Sequence, residues 1–385
     1  MSAVPKKRIA AILVDYGLRR HSDNLVTRLL EGYWLNDHFY QPRDEVVSVY
    51  VHQAAEVYPD LSQRLAGAYG FRLSPNIADA LTLGTGALAV DGVIIVSEDG
   101  LTPWDKNPFF LFFSQMVDVF RKSGRAVPVF NDKALSHDWD EAQWMVRQSR
   151  QLGFPLLAGS ITPVTFRRPE LDFPLGTRFR EALAVCPISD PHVESYAFHG
   201  LELLQGMVEQ RAGGETGVRS VQYLEGPAVW RAADDGLWSR ALLDAALARS
   251  LSRSEGTPET LVRQPIALLV EYTDGLRGTV IGAAGLVRDF NFAARVADVD
   301  EIQSTLAYWP RENSNSFSCL VHYFQRMMET GKPDYPVERT LLICGTLDFL
   351  MRSRHEKQTR RATPELHHFS YQAPEAAAFC RGPGS

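Results

Sequence analysis

The stretch from Arg8 to Tyr33, RIAAILVDYGLRRHSDNLVTRLLEGY, decides how the chain is read. Arg8–Val14 is a continuous apolar run of strand length. Asp15–Asp23 is a polar turn. Asn24–Tyr33 then has apolar residues at helical spacing, with Ser22 and Asp23 as candidate caps. A buried strand, a turn and a helix in that order predict the first unit of a parallel sheet.

The pattern repeats outward. Strands are expected at Val46–Val51, Phe71–Leu73, Gly92–Val96 and Ala126–Phe130, the GVIIV run at Gly92–Val96 being the clearest. Helices are expected at Asn24–Tyr33, Leu61–Tyr69, Ile77–Leu83, Phe112–Lys122 and from Asp138 or Asp140 to Leu152. Alternation of this kind predicts a parallel sheet with helices on both faces. After Pro155 the pattern changes. Leu156–Thr165 reads as a strand leaving the first domain. Further strands are expected at Arg180–Val185, Val218–Leu224, Pro265–Tyr272 and Thr279–Ala284, the last two forming a hairpin across Thr273–Gly278. Ser195–Gln210 and Leu237–Ser250 read as helices. The expected architecture is α/β: a Rossmann-like parallel-sheet domain over 1–155, an α+β domain with an open, mostly antiparallel sheet over 156–372, and a mobile tail over 373–385.

Bulk properties narrow the function. With 385 residues the chain is long for one core. A net charge of −6 without a basic run gives no nucleic-acid footprint. Its longest apolar candidate, Leu88–Val96, is broken by Asp91 and is too short to span a membrane. With no secretory pattern at the N-terminus, a cytoplasmic protein is expected. Cys186, Cys319, Cys344 and Cys380 form no Cys-x-x-Cys pair and read as buried free thiols.

Three stretches resemble the Gfo/Idh/MocA family of sugar and polyol dehydrogenases: Ile77–Ser97, Val127–Met145 and Pro333–Arg354 followed by Thr363–Leu366. The resemblance runs from about Lys7 to Tyr371, and these stretches carry it. The second stretch, VPVFNDKALSHDWDEAQWM, is similar to that family's Glu-Lys-Pro region. The resemblance places Asp132 on the acid and Lys133 on the catalytic lysine, with Ala134 in place of the proline. It places His199, on SYAFHGLELLQ, on the family's catalytic histidine, while Ser195 stands where the family has an aspartate. It implies an oxidoreductase that transfers hydride between NAD or NADP and a hydroxylated small molecule lying between the domains.

The residues after the first strand depart from the dinucleotide fingerprint. Only Gly17 remains of GxGxxG, and Arg19 and Arg20 stand in the turn. The second strand ends in His52 rather than an acid. Tyr16, Gly17, Arg19, Arg20, His52 and Glu98 are the candidate cofactor contacts, the arginines as a bidentate phosphate clamp. Asp99, Trp104, Arg167 and Tyr196 are the candidate substrate contacts. Each also has a plainer reading, as a solvated turn, a wall of the core or a hinge ion pair. His199 and Glu202 share a helix face, which offers a weak metal alternative, but no His-Glu-x-x-His motif supports a metal.

Two other functions compete. One is a lyase, isomerase or cyclase that uses acid–base chemistry without net redox. The other is a non-catalytic ligand-binding or scaffold subunit. A homodimer or homotetramer is expected if the open sheet buries a face.

Overall fold

The computed structural model describes residues 5–54, 58–97, 104–310 and 315–382. They form two compact units. The first takes residues 1–161 and 310–337, and the second takes 162–309 and 338–384.

The first unit is built on β1 (Arg8–Leu13). After it come a short hairpin, β2 (Tyr33–Leu35) and β3 (His38–Tyr40), then β4 (Glu45–Val51), β5 (Arg72–Ser74), β6 (Gly92–Val96), β7 (Val129–Asp132) and β8 (Leu156–Gly159). Six strands make one sheet in the order β5-β4-β1-β6-β7-β8, every pair parallel. Ile9 to Val14 and Val93 to Val96 are fully buried, which their unbroken apolar runs predict. Helix Phe109–Ser123 buries Phe109, Phe112, Phe113, Met116, Val117 and Phe120, a single face at helical spacing. Helix Trp139–Leu152 starts at Asp138, whose side chain accepts from the Glu141 amide at 3.0 Å. Gly124 and Gly153 close these helices in the left-handed conformation.

Three local expectations change. The helix expected over Asn24–Tyr33 is a π-turn, Asp23–Thr27, followed by one α-turn, Arg28–Glu31. Gly32, at φ 86°, ends it, and Tyr33 opens the hairpin. Helix Ser316–Thr330 belongs to the first unit although it follows the second unit's sheet in sequence. Gly92 has no side chain because a Cβ there would strike Met328 of that helix. The strand expected over Leu156–Thr165 stops at Gly159.

The second unit holds β9 (Phe166–Arg168), β10 (Phe179–Cys186), β11 (Val218–Glu225), β12 (Ile266–Tyr272), β13 (Arg277–Gly282), β14 (Phe290–Val296), β15 (Gln303–Tyr308) and β16 (Arg361–Ala362). The order is β16-β11-β12-β13-β10-β14-β15-β9. Only β10–β13 is parallel, and β12–β13 is the expected hairpin. Helix Val193–Val208 packs so closely on the sheet that a Cβ on Gly200 would meet Val280 at 2.5 Å.

Helices Pro227–Asp234 and Arg240–Leu247 bury Val229, Trp238, Leu242 and Leu243 against Leu183, Val185, Ala267, Ile281 and Ala293 of the sheet. The chain's own helices therefore cover this part of the second sheet. The tail is also not loose through Arg381. The Cys380 amide donates to the Val164 carbonyl at 2.8 Å, and Phe379 is buried. Cys186 and Cys344 are buried free thiols, as expected, whereas Cys319 and Cys380 are in disulfide form. No described helix is long and apolar enough to cross a membrane.

Candidate functional site

In open parallel sheets, ligands bind at the carboxyl ends of the strands. In the first unit that edge carries the loop after β1, His52 after β4, Ser97 after β6 and the Asn131-Asp132-Lys133 turn after β7. Glu98 and Asp99 lie outside the described residues.

Asp132 is fully buried, and its Oδ2 lies 2.7 Å from His21 Nδ1. His21 comes from the start of the helical turn after β1, and its ring meets Phe317 edge-on at 4.8 Å. The other carboxylate oxygen, Oδ1, is buried without a hydrogen-bond partner among the described residues. The same holds for Ser22 Oγ, Ser97 Oγ and Asn131 Oδ1. All four of these residues are at 0% exposure. An orphaned buried polar atom costs about 1–3 kcal/mol, so each of these four asks for a partner that the described residues do not supply.

Lys133 is nearly buried and sits at φ 62°. Its amide donates to the Gly159 carbonyl at 3.0 Å. Asn131 Nδ2 braces the turn through the Ala134 carbonyl at 2.8 Å. A left-handed conformation costs a lysine about 1–2 kcal/mol that glycine would not pay. Such strain is typical of a position where the side chain matters. Ala134 does without the expected proline because this bracing, not a ring, fixes the turn.

The loop after β1 is closed on itself. Asp15 Oδ1 accepts from the Gly17 amide at 3.1 Å. Asp23 Oδ2 accepts from the Arg19 amide at 2.7 Å, and its Oδ1 accepts from Thr27 Oγ1 at 2.7 Å. The Leu18 amide donates to the Pro59 carbonyl at 3.0 Å, and the Arg20 amide to the Gly17 carbonyl at 3.1 Å. Gly17 and Asp60 form an antiparallel bridge, which lays the segment before helix Ser62–Tyr69 along the loop. The left-handed residue is Arg19, at φ 64°, not Gly17.

Arg20 faces Asp15 at 3.9 Å and lies 5.5 Å from the centre of the Tyr58 ring. Tyr16 is buried with its hydroxyl 3.4 Å from Thr27 Oγ1, and burial pushes its phenol up. His52 is exposed beside the Tyr50 hydroxyl at 3.1 Å.

A dinucleotide's pyrophosphate needs unspent amides on this loop and close approach over glycine. Neither is present at Gly17–Arg20. A phosphate about 4 Å from a carboxylate would be repelled by about 4 kcal/mol at an effective dielectric near 20. The residues of this loop do not fit the group. A cavity of about 420 Å³ beside the same turn is lined by Asp23, Arg28, Trp34 and Phe39, and burial pulls the Arg28 guanidinium down to about 10.

No protein-family model and no curated sequence matches the chain. Solved structures do. GenD2 from gentamicin A biosynthesis in complex with NAD aligns with TM-score 0.57 at 13% identity, over 94% of this chain and 97% of that one. Myo-inositol 2-dehydrogenase from Lactobacillus plantarum gives 0.57 at 12%, over 93% and 99%. WlbA dehydrogenase from Bordetella pertussis, with NADH and UDP-GlcNAcA, gives 0.52 at 13%, over 94% and 99%. The likeness is one of fold. It runs nearly the length of both chains, as the sequence resemblance implied, and inositol dehydrogenases are among the neighbours.

The remaining candidates lie in the second unit or apart from the edge turn. His199 is 6% exposed, 3.5 Å from Glu202, among the rings of Tyr196, Phe198, Phe290 and Trp309. Tyr196 is half-buried and stacks on Phe290. Arg167 is a core residue: its Nη1 donates to the Leu171 carbonyl at 2.7 Å, its guanidinium lies over Phe379, and burial pulls it down to about 10. Trp104 is buried against Phe109 in the first unit. No group of three or more metal-ligating side chains occurs among the described residues.

His21 is the residue that sequence reading missed. It lies 111 positions from Asp132, and nothing in either local pattern links them.

Proposed function

We propose that this chain is an enzyme that performs acid–base chemistry on a hydroxylated small molecule of the sugar or polyol class at the carboxyl edge of the first unit's sheet. The observation that carries the reading is the His21–Asp132 pair beside a strained Lys133, with Asp132 Oδ1 left for a ligand. Asp132 orients the imidazole and stabilises its protonated form. The Lys133 ammonium donates to, and polarises, the substrate oxygen that bears developing negative charge. Isomerisation or elimination of water needs no more than these groups.

A second reading, hydride transfer with NAD or NADP, is favoured by neighbours crystallised with NAD or NADH. A nicotinamide, when bound, supplies the hydride acceptor.

A panel of inositols, aldoses and sugar acids, followed by product mass, separates the two. Loss of water or an unchanged mass is expected, and loss of two hydrogens selects the second reading. On any converted substrate, Lys133→Ala and Asp132→Asn should lose turnover while keeping the fold. Unchanged turnover in both sinks the site.

A further inference from the structure

The loop after β1 shows what took the place of the missing glycines. Asp15 and Asp23 bracket it, each delivering a carboxylate oxygen to a main-chain amide at ordinary hydrogen-bond distance. Asp15 is 8% exposed, so its carboxylate is built into the turn rather than resting on it. The two amides between and beyond, Leu18 and Arg20, are taken by the Pro59 and Gly17 carbonyls. Arg20, the cation best placed to hold an external phosphate, has Asp15 as its ionic neighbour.

We infer that this loop is self-liganded: the chain's own carboxylates occupy the amide donors that a dinucleotide's pyrophosphate requires, so the first unit binds neither NAD nor NADP there and its edge serves a ligand without phosphate. A carboxylate can stand in for phosphate oxygens at these amides, being anionic and an acceptor at every lone pair. Because it is tethered, it carries no cost of lost translational freedom, which a free dinucleotide must meet. The inference rests on the loop alone and does not depend on which reaction the site performs.

The test uses the full chain with NADH and NADPH, followed by fluorescence, and ADP, followed by calorimetry. The expected result is no saturable binding up to about 1 mM of any of the three. Asp15→Gly combined with Asp23→Ala frees the Gly17 and Arg19 amides and removes both charges. It should raise ADP affinity at least about tenfold. Should that variant fail to fold, Asp15→Asn and Asp23→Asn keep an acceptor and remove the charge, and each should raise ADP affinity by a smaller factor.

Saturable wild-type binding of NADH or NADPH below about 1 mM that ADP displaces would overturn the inference. So would folded variants with no gain for ADP. A dehydrogenase activity that survives without dinucleotide binding at this loop would count against the acid–base reading and leave the loop inference standing.

Discussion

Two buried polar regions of this chain are built to opposite rules. At the end of helix Val193–Val208 in the second unit, Glu209 takes Arg339 Nε at 2.8 Å and Nη2 at 2.5 Å, and the Tyr371 hydroxyl at 2.8 Å. Glu215 takes both terminal nitrogens of Arg211 at 2.8 Å, Gln205 at 2.6 Å and the Gly217 amide at 2.8 Å. Burial raises Tyr371 well above the usual phenol range, and the two carboxylates raise it further, so it stays a donor at any working pH. In the first unit, Asp132 is as deeply buried yet has His21 on one oxygen and no described partner on the other. A carboxylate surrounded by donors has no capacity left for chemistry and serves to fix the core. One left half-satisfied beside a strained lysine retains that capacity.

Substitutions can break this contrast. The largest effect is expected on activity: Asp132→Asn should lower turnover of a responsive substrate about 10²–10⁴-fold, the usual worth of a positioned acid–base group. The same substitution should move the urea midpoint little, because the site is not what holds the first unit together. Next comes Glu215→Ala, which leaves the buried Arg211 with Asp274 as its remaining carboxylate and should destabilise the second unit by about 1–3 kcal/mol, read from urea unfolding. Turnover per folded molecule should be unchanged. If Glu215→Ala cost little while Asp132→Asn unfolded the protein, the two regions would have exchanged roles.

Gly200→Ala comes after these. Its methyl meets Val280 and Cys186, and overpacking should cost about 1–3 kcal/mol in the same assay. The smallest effect is expected for Asp138→Ala. It removes the cap of helix Trp139–Leu152, just after the Lys133 turn, for about 1 kcal/mol, seen as a modest drop in Tm.

Much of the first unit was legible because its strands are continuous apolar runs and its helices carry one apolar face. The Phe109–Ser123 and Trp139–Leu152 helices fall where periodicity and caps place them. The π-turn at Asp23–Thr27 was not legible, since its residues suit an α-helix and only the early Gly32 stop and the hairpin cut it short. Arg167 carries two sequence readings, a substrate contact and a hinge ion pair, because nothing local distinguishes an arginine over a core phenylalanine from one facing a substrate. The Leu237–Ser250 helix was legible, but which strands it covers was not, because a helix's apolar face does not name its partner.

By itself the sequence determined two sheets of different kind, the broken glycine fingerprint and the Asp132-Lys133 pair at a strand end. These depend on residues close together along the chain. Only the tertiary structure decided that His21 meets Asp132, that Lys133 is held left-handed and that Asp15, Asp23 and Pro59 consume the loop's amides. Each of these is a pairing of groups whose energies depend on direction and burial, and folding supplies both.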